Sequence, residues 1–371
     1  MQTARIPRGL RFLPKVVLIT TVGLVCAATA WQASAQSITT LPVGFVNVPV
    51  LGPASDSLVS LPFTQPPVFT GTLASAPGTG PQLAISGSPG WNPGQWAILS
   101  TPNNYAPYFA FLVTGAQAGA WFTITNNDAS NLYVTLTPEN ASLAAAGDQV
   151  TIVPFWTLNT VWPNGTGVVA TTLSSSPKSE VLFPSIGSVG INLSPEATYY
   201  FYNNNWRKVG PPSSSNFNDV AILPDQYVTL RSNGTTPSTN FLALGAVVTN
   251  NIRIPVYANS VANGNKQDNY IGIYRPTTLT LDQSGLASMV VTTTLSSSPK
   301  DEVLVYTNAV SGENKSPVGT YFFYNDAWRK VGPPASVNFG PSNVFFSAQG
   351  FVYRAVPNNT PIRMWDNQPN Y

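Results

Sequence analysis

The chain has 371 residues, with 17 basic and 15 acidic side chains, no histidine and a single cysteine, Cys26. Charged residues make up only 9% of it, against roughly 25% in ordinary soluble domains, so solubility rests on Asn, Ser, Thr and Gln. The lack of histidine excludes Ser-His-Asp and Cys-His catalysis and argues against zinc, copper and haem sites, and no phosphate-binding glycine loop is present.

Residues 1–35 read as a secretory signal. Arg5, Arg8, Arg11 and Lys15 form a basic start, and the apolar run Val16 to Ala30 is shorter than the ~20 residues of a membrane span. Ala33-Ser34-Ala35 then offers small residues for cleavage between Ala35 and Gln36. The alternatives are an uncleaved anchor, or a lipoprotein cut at Cys26, which Gly23-Leu24-Val25 fits poorly. Cleavage removes the only thiol and four of the 17 basic residues, leaving 13 against 15 acids and a net charge near −2. A faintly acidic chain does not suit nucleic acid. The predicted destination, by the general secretory route, is the periplasm, the outer surface or the medium. No second apolar run is long enough to span a membrane.

Beyond the signal, short alternating runs separated by turn residues predict an all-β chain. Val48-Pro49-Val50, then Asp56 and Leu58-Val-Ser-Leu61, open it. A meander of short strands follows, including Trp121 to Thr125 and Leu132 to Leu136, and predicts a small β-barrel-like insertion over about residues 72–160. Leu173-Ser-Ser-Ser-Pro-Lys178 then recurs as Leu295-Ser-Ser-Ser-Pro-Lys300, an offset of 122 residues. The offset holds through Trp206/Trp328 and Gly210/Gly332 to Phe217/Phe339, and slips near Arg231 and Arg354, so that 173–233 repeats at 295–356. Each copy reads as an aromatic hairpin: Tyr199 to Tyr202, an Asn203-Asn204-Asn205 turn, and Trp206 to Val209 before Gly210-Pro211-Pro212. In the second copy the turn is Asn325-Asp326-Ala327. A weaker echo of the opening recurs at Ile254-Pro255-Val256, Asp268 and Tyr270 to Ile273. The fold class expected is two related β-sandwich or barrel-like halves, 36–246 and 247–371, with the insertion in the first. Gly234 to Asn240 is the stretch that reads as a joint.

Several motifs carry a resemblance: Pro42-Val-Gly-Phe-Val46, Asp56-Ser-Leu-Val-Ser-Leu-Pro62, Lys266-Gln-Asp268, Asn314-Lys-Ser-Pro317, Gly350-Phe-Val-Tyr-Arg354 and the closing Trp365-Asp-Asn-Gln-Pro-Asn-Tyr371. With these the chain resembles a family of uncharacterised exported proteins, found as large paralogous sets in Verrucomicrobia and related bacteria. The family pattern has an acid just after the strand that begins at Val303, where this chain has Tyr306-Thr307-Asn308. The resemblance implies export and a shared architecture, and no activity.

What chemistry remains is limited. Paired carboxylates would serve a glycosidase, but Asp301 and Glu302 are adjacent and point to opposite faces of a strand. Asp56, Glu180, Asp268 and Glu302 read as structural acids that accept backbone N–H bonds or pair with Lys178, Lys266 or Lys300. Asn126-Asn127-Asp128 and Asp366-Asn367 offer oxygens without a calcium-loop pattern. Trp206 and Trp328, being repeated, read as core. Trp91, Trp96, Trp162 and Trp365 lie in irregular surroundings and are the candidate exposed platforms for a glycan or partner. Arg207-Lys208 and Arg329-Lys330 read as cross-strand packing, with a cation placed over Tyr200 or Tyr202. The function expected is a non-catalytic secreted or envelope protein with a structural, adhesive or binding role and no cofactor, its partners being polysaccharide or other copies of itself. The alternatives are a carbohydrate-binding module and, behind it, a carboxylate-dependent glycan-active enzyme.

Overall fold

The structure, a computed structural model, describes residues 41–77, 80–100, 105–135, 143–212, 214–369 and 371. The predicted signal and its cut between Ala35 and Gln36 lie outside the described residues.

The aromatic hairpins show how local sequence becomes structure. Ala197–Tyr202 returns as Asn205–Lys208 through Asn203 and Asn204, whose φ values of 49° and 59° give the twist that two-residue hairpin turns require. Gly319–Tyr324 returns as Ala327–Lys330 through Asn325 and Asp326, at 47° and 53°. Asn tolerates this left-handed region because its short amide bonds locally. The turn is one residue shorter than the sequence suggested, since Asn205 pairs with Tyr202 inside the ladder. Phe201 then faces Trp206, and the alternation buries Tyr199, Phe201 and Trp206 in one core.

Each hairpin forms one side of a five-stranded antiparallel sheet. The first runs Asn205–Lys208, Ala197–Tyr202, Ser179–Phe183, Tyr227–Ser232, Ser55–Ser60. The second runs Ala327–Lys330, Gly319–Tyr324, Glu302–Val305, Gly350–Ala355, Gln267–Gly272, in the same order. Each half also has a two-stranded ribbon made of its first and last strands: Val43–Val50 with Thr239–Ala246, and Ile252–Tyr257 with Ile362–Asn367. A further short pair completes each half, Trp156–Thr157 with Ala221–Ile222 and Leu279–Thr280 with Asn343–Phe345. Gly234 to Asn240 is not a joint. It turns the chain into Thr239–Ala246, which must return along Val43–Val50 to cover the first core.

The inserted strands run from Phe69 to Pro154 as a six-stranded sheet whose edges meet at the Leu73–Ile85 bridge. Phe122, Ile124, Leu132, Val150 and Ile152 fill the interior of this small barrel. Trp156–Thr157, within the predicted insertion, instead pairs with the first half. On its outer side the barrel presents Phe109, Phe111, Val153 and Phe155 to the core of the second half. No helix among the described residues is long and apolar enough to cross a membrane.

The halves are joined by a reciprocal exchange. In the first half Arg231 donates two bonds to Asp56, at 2.7 and 2.9 Å, and the third donor to Asp56 is the Asn314 N–H of the second half at 2.7 Å. In the second half Arg354 donates to Asp268 at 2.7 and 3.0 Å, and the Asn192 N–H of the first half donates at 2.8 Å. Each arginine also donates to the side-chain oxygen of the crossing asparagine, at 2.9 Å in both cases. Asn192 and Asn314 both have left-handed backbones and lie 122 residues apart, in the two copies of one loop. The close approach also dictates glycine at 350, where a Cβ would overlap the Tyr227 ring.

Removing the Asp268 carboxylate should leave Arg354 and the Asn192 N–H without their acceptor. Asp268→Ala is expected to lose about 2–4 kcal/mol in urea denaturation. Asn192→Gly, which removes the side-chain acceptor and still allows the left-handed backbone at φ 52°, should lose about 1 kcal/mol or less.

Candidate functional site

The four tryptophans proposed as exposed platforms are core residues, which corrects that expectation. Trp91 and Trp96 are 7% exposed, and Trp162 and Trp365 are 0% exposed. Trp91 and Trp96 stack edge-on with each other and with Phe69 and Tyr108 in the barrel. Trp162 packs on Trp206 and Phe241, and Trp365 donates its indole N–H to the Ser284 carbonyl at 2.7 Å. A buried indole offers no face to a sugar ring. Trp206 and Trp328 are also fully buried.

The acids are largely consumed by the fold. Glu302 is paired with Lys266 at 2.7 Å, whereas Glu180 accepts from Asn233, not from Lys178. Asp301, fully buried, accepts from Tyr353 Oη, Arg363 and the Val291 and Val356 N–H groups. Asp128 closes a turn by accepting from Ser130, Asn131 and Tyr133, and these bonds lower its pKa to about 2. Among the described residues no three His, Cys, Asp or Glu cluster to hold a metal ion. The basic doublets pack as strands do: Arg207 is buried and donates to the Tyr202 and Ser215 carbonyls. Of the doublet cations, Lys330 lies over Tyr321, the copy of Tyr199 and not of Tyr200 or Tyr202.

One acid is different. A cleft of about 500 Å³ lies where the barrel and both halves meet, with Trp121 from the barrel, Leu223 and Asp225 from the first half, and Ile254, Tyr257 and Asn269 from the second. Its other polar walls are engaged. Asp268 holds Arg354, Gln267 bonds Gly190 and Ser188, and Asn269 clips the backbone of Tyr257 at 2.7 and 2.9 Å. Asp225 is half-buried as a residue, yet its Oδ1 is sealed from solvent with no hydrogen-bond partner. Burial pushes its pKa up to about 7, and its own backbone N–H offsets only part of that. Tyr257 beside it is raised as well, by burial and then by the Asp225 charge.

The internal repeat shows that the fold does not need this carboxyl. Asp225 accepts the Gly272 N–H with its main-chain oxygen at 3.0 Å, and its counterpart Ala348 accepts the Ser60 N–H in the same way at 3.0 Å. In the repeat the contact between the halves is thus made without a carboxyl, on a left-handed backbone (φ 59°) at Ala348 that Asp225 does not share. Sequence reading passed over Asp225 because Leu223-Pro224-Asp225-Gln226 looks like an ordinary turn. The signal lay in the repeat, once the one-residue slip sets Asp225 against Ala348.

No known family, curated protein or solved structure matches this chain. The class that the fold and cleft define is an all-β protein of two repeated halves with a barrel inserted in the first.

Outcomes for three residues follow from these placements. Trp365→Ala should cost about 3–5 kcal/mol in urea denaturation, as a core truncation does. For Asp225, the folded state keeps its proton up to about pH 7, whereas the unfolded chain releases it near pH 4. The folded state thus holds more protons between those values, and stability should fall as pH rises through that window. Asp225→Asn should abolish that slope and, at pH 8, raise stability by about 1–3 kcal/mol. Asp128 acts in another window, its contribution being lost as pH falls from about 4 toward 2.

Proposed function

We propose that this is an exported, non-catalytic protein of the cell envelope or its surroundings, with a structural or adhesive role, which associates with copies of itself through the ribbon of the first half. The secretory-type N-terminus supports export. The commitment of Asp56, Asp268, Asp301 and Glu302 to ion pairs supports a non-catalytic reading.

The observation that carries the proposal is the outer face of that ribbon. Val43, Phe45, Leu242 and Leu244 are 68, 71, 58 and 52% exposed, and Phe45 stands directly across the ladder from Leu244. The ribbon of the second half carries Asn251 and Asp366 at the places of Phe45 and Leu242, bonded to each other at 2.9 Å. Its edge is taken by the barrel, where the Arg253 N–H donates to the Gly119 carbonyl. Among the described residues the first ribbon has neither polar cover nor a neighbour on that face, and Asn47, in the place of Arg253, is exposed.

A second copy is the occupant that fits. The patch is uncharged, so burying it against itself desolvates no ion. It protrudes at Phe45 and is hollow beside Leu242 and Leu244, where Leu61, Phe63 and Trp156 line a groove of about 250 Å³. A protrusion and a hollow on one surface suit a twofold contact. The exposed apolar area is on the order of 500 Å², at the upper end for a monomer, and pairing two such faces would bury roughly 1,000 Å², the threshold of a specific interface. The carbohydrate-module reading has less support, because its four aromatic platforms are buried.

Residues 36–371 should sediment as a dimer or larger assembly. Phe45→Ser with Leu244→Ser should weaken association at least tenfold while leaving the thermal melt cooperative. A chain that stays monomeric at high micromolar concentration, and that surface labelling of its host does not reach, would overturn the proposal.

A further inference from the structure

Beyond self-association, we infer that the cleft at Asp225 is a binding site for an organic cation, a primary ammonium or guanidinium group on an apolar stem. The geometry supplies both halves of such recognition. Asp225 lines the cleft, the Oδ1 of its carboxylate is closed to water and has no hydrogen-bond partner, and among the described residues no Lys or Arg lines the cleft. The nearest pairing that involves a lining acid, Arg354 with Asp268, is already bidentate. The cleft therefore carries one uncompensated negative charge. A buried carboxylate without a partner is costly, and the repeat makes the same contact between the halves without one. A retained, costly and structurally unnecessary charge is what a ligand site contains.

The remaining walls select the rest of the ligand. Trp121 from the barrel, Tyr257, which is 40% exposed, and Leu223 are apolar surfaces that line the cleft with the acid. Aromatic faces attract an organic cation and its stem, which a strongly hydrated metal ion would not exploit. A metal would also need several oxygen ligands, and the described residues offer no cluster of three acids, His or Cys. The ligand head is thus placed at Asp225, with its stem along Trp121 and Tyr257. Asn269 holds Tyr257 in place through two bonds to its main chain, so the site is largely formed before binding.

Cation binding should depend on pH. The titratable and charged groups that face Asp225 are Tyr257 and Tyr274, with Tyr270 and the Asp268–Arg354 pair on the cleft's other wall. All three tyrosines are raised by burial and stay neutral near pH 7. Asp225 is thus the group that titrates there, and its proton competes with the cation. Affinity should fall about tenfold per pH unit on the acid side of pH 7 and level off above it.

The test is isothermal titration of residues 36–371 at pH 8 with n-butylammonium, n-butylguanidinium, the neutral n-butanol and the neutral glycan cellotetraose. The two cations should bind at one site per chain, with n-butanol at least tenfold weaker. Asp225→Asn should lose tenfold or more in cation affinity while melting no lower than the parent at pH 8. Asp225→Ala, which installs the residue that its repeat uses, is the second variant and should behave alike. Tyr257→Ala should weaken the cations several-fold. Equal binding of n-butanol and n-butylammonium would overturn the inference, as would cation binding unchanged in Asp225→Asn. Absence of saturable binding by either cation, or binding of cellotetraose alone, would overturn it too.

Discussion

The two halves hold each other together through two carboxylates that neither half can satisfy alone. Asp56 and Asp268 are 5% and 4% exposed, and a carboxylate so far from water must fill its lone pairs from the protein. Its own half provides an arginine with two bonds, and the last donor arrives from the other half as the N–H of Asn314 or Asn192. The cost of burying each ion pair is therefore offset only when both halves are folded and docked. The same contact fixes their relative position. The Ser60 N–H reaches Ala348 and the Gly272 N–H reaches Asp225, so the closing turn of each sheet is capped by the other. The cleft exists because of this docking, since its walls come from both halves.

A repeated chain carries its own comparison. What both halves share is what the architecture requires: the five-strand order, the Asn turn, the Asp–Arg–Asn clamp and the buried hairpin tryptophan. What only one half has is open to other uses. Ser179 accepts the Val169 N–H where Asp301 accepts that of Val291, and the heavier Asp301 cluster has Arg363 and Tyr353 around it to justify the charge. Asp225 against Ala348 has no such cluster. Phe45 and Leu242 against Asn251 and Asp366 reverse the polarity of a surface. These last two asymmetries mark a cleft and a face, and no packing among the described residues accounts for either.

The barrel accounts for part of the asymmetry. It enters the first half by sequence but packs on the second, where Phe109 and Phe155 join a core with Ile254 and Val256. It covers the second ribbon and not the first, and by supplying Trp121 it turns a seam between halves into a cleft. One insertion thus creates both unusual surfaces.

The sequence by itself determined the all-β character, the paired repeat with its 122-residue offset and the two hairpins. These depend on alternation and on turn residues, which act between near neighbours in the chain. It also pointed to Asp56, Asp268 and Glu302 as structural acids, though not to Arg231 and Arg354 as the partners of the first two, 175 and 86 residues away. Only the tertiary structure decided that Trp91, Trp96, Trp162 and Trp365 are buried, because burial depends on what distant strands place over a side chain. It also decided that Asp225, of the acids lining the cleft, is the one whose Oδ1 has no partner among the described residues. Solvation is set by every neighbour at once, and a turn residue at the surface and one sealed against a second half are written alike in sequence.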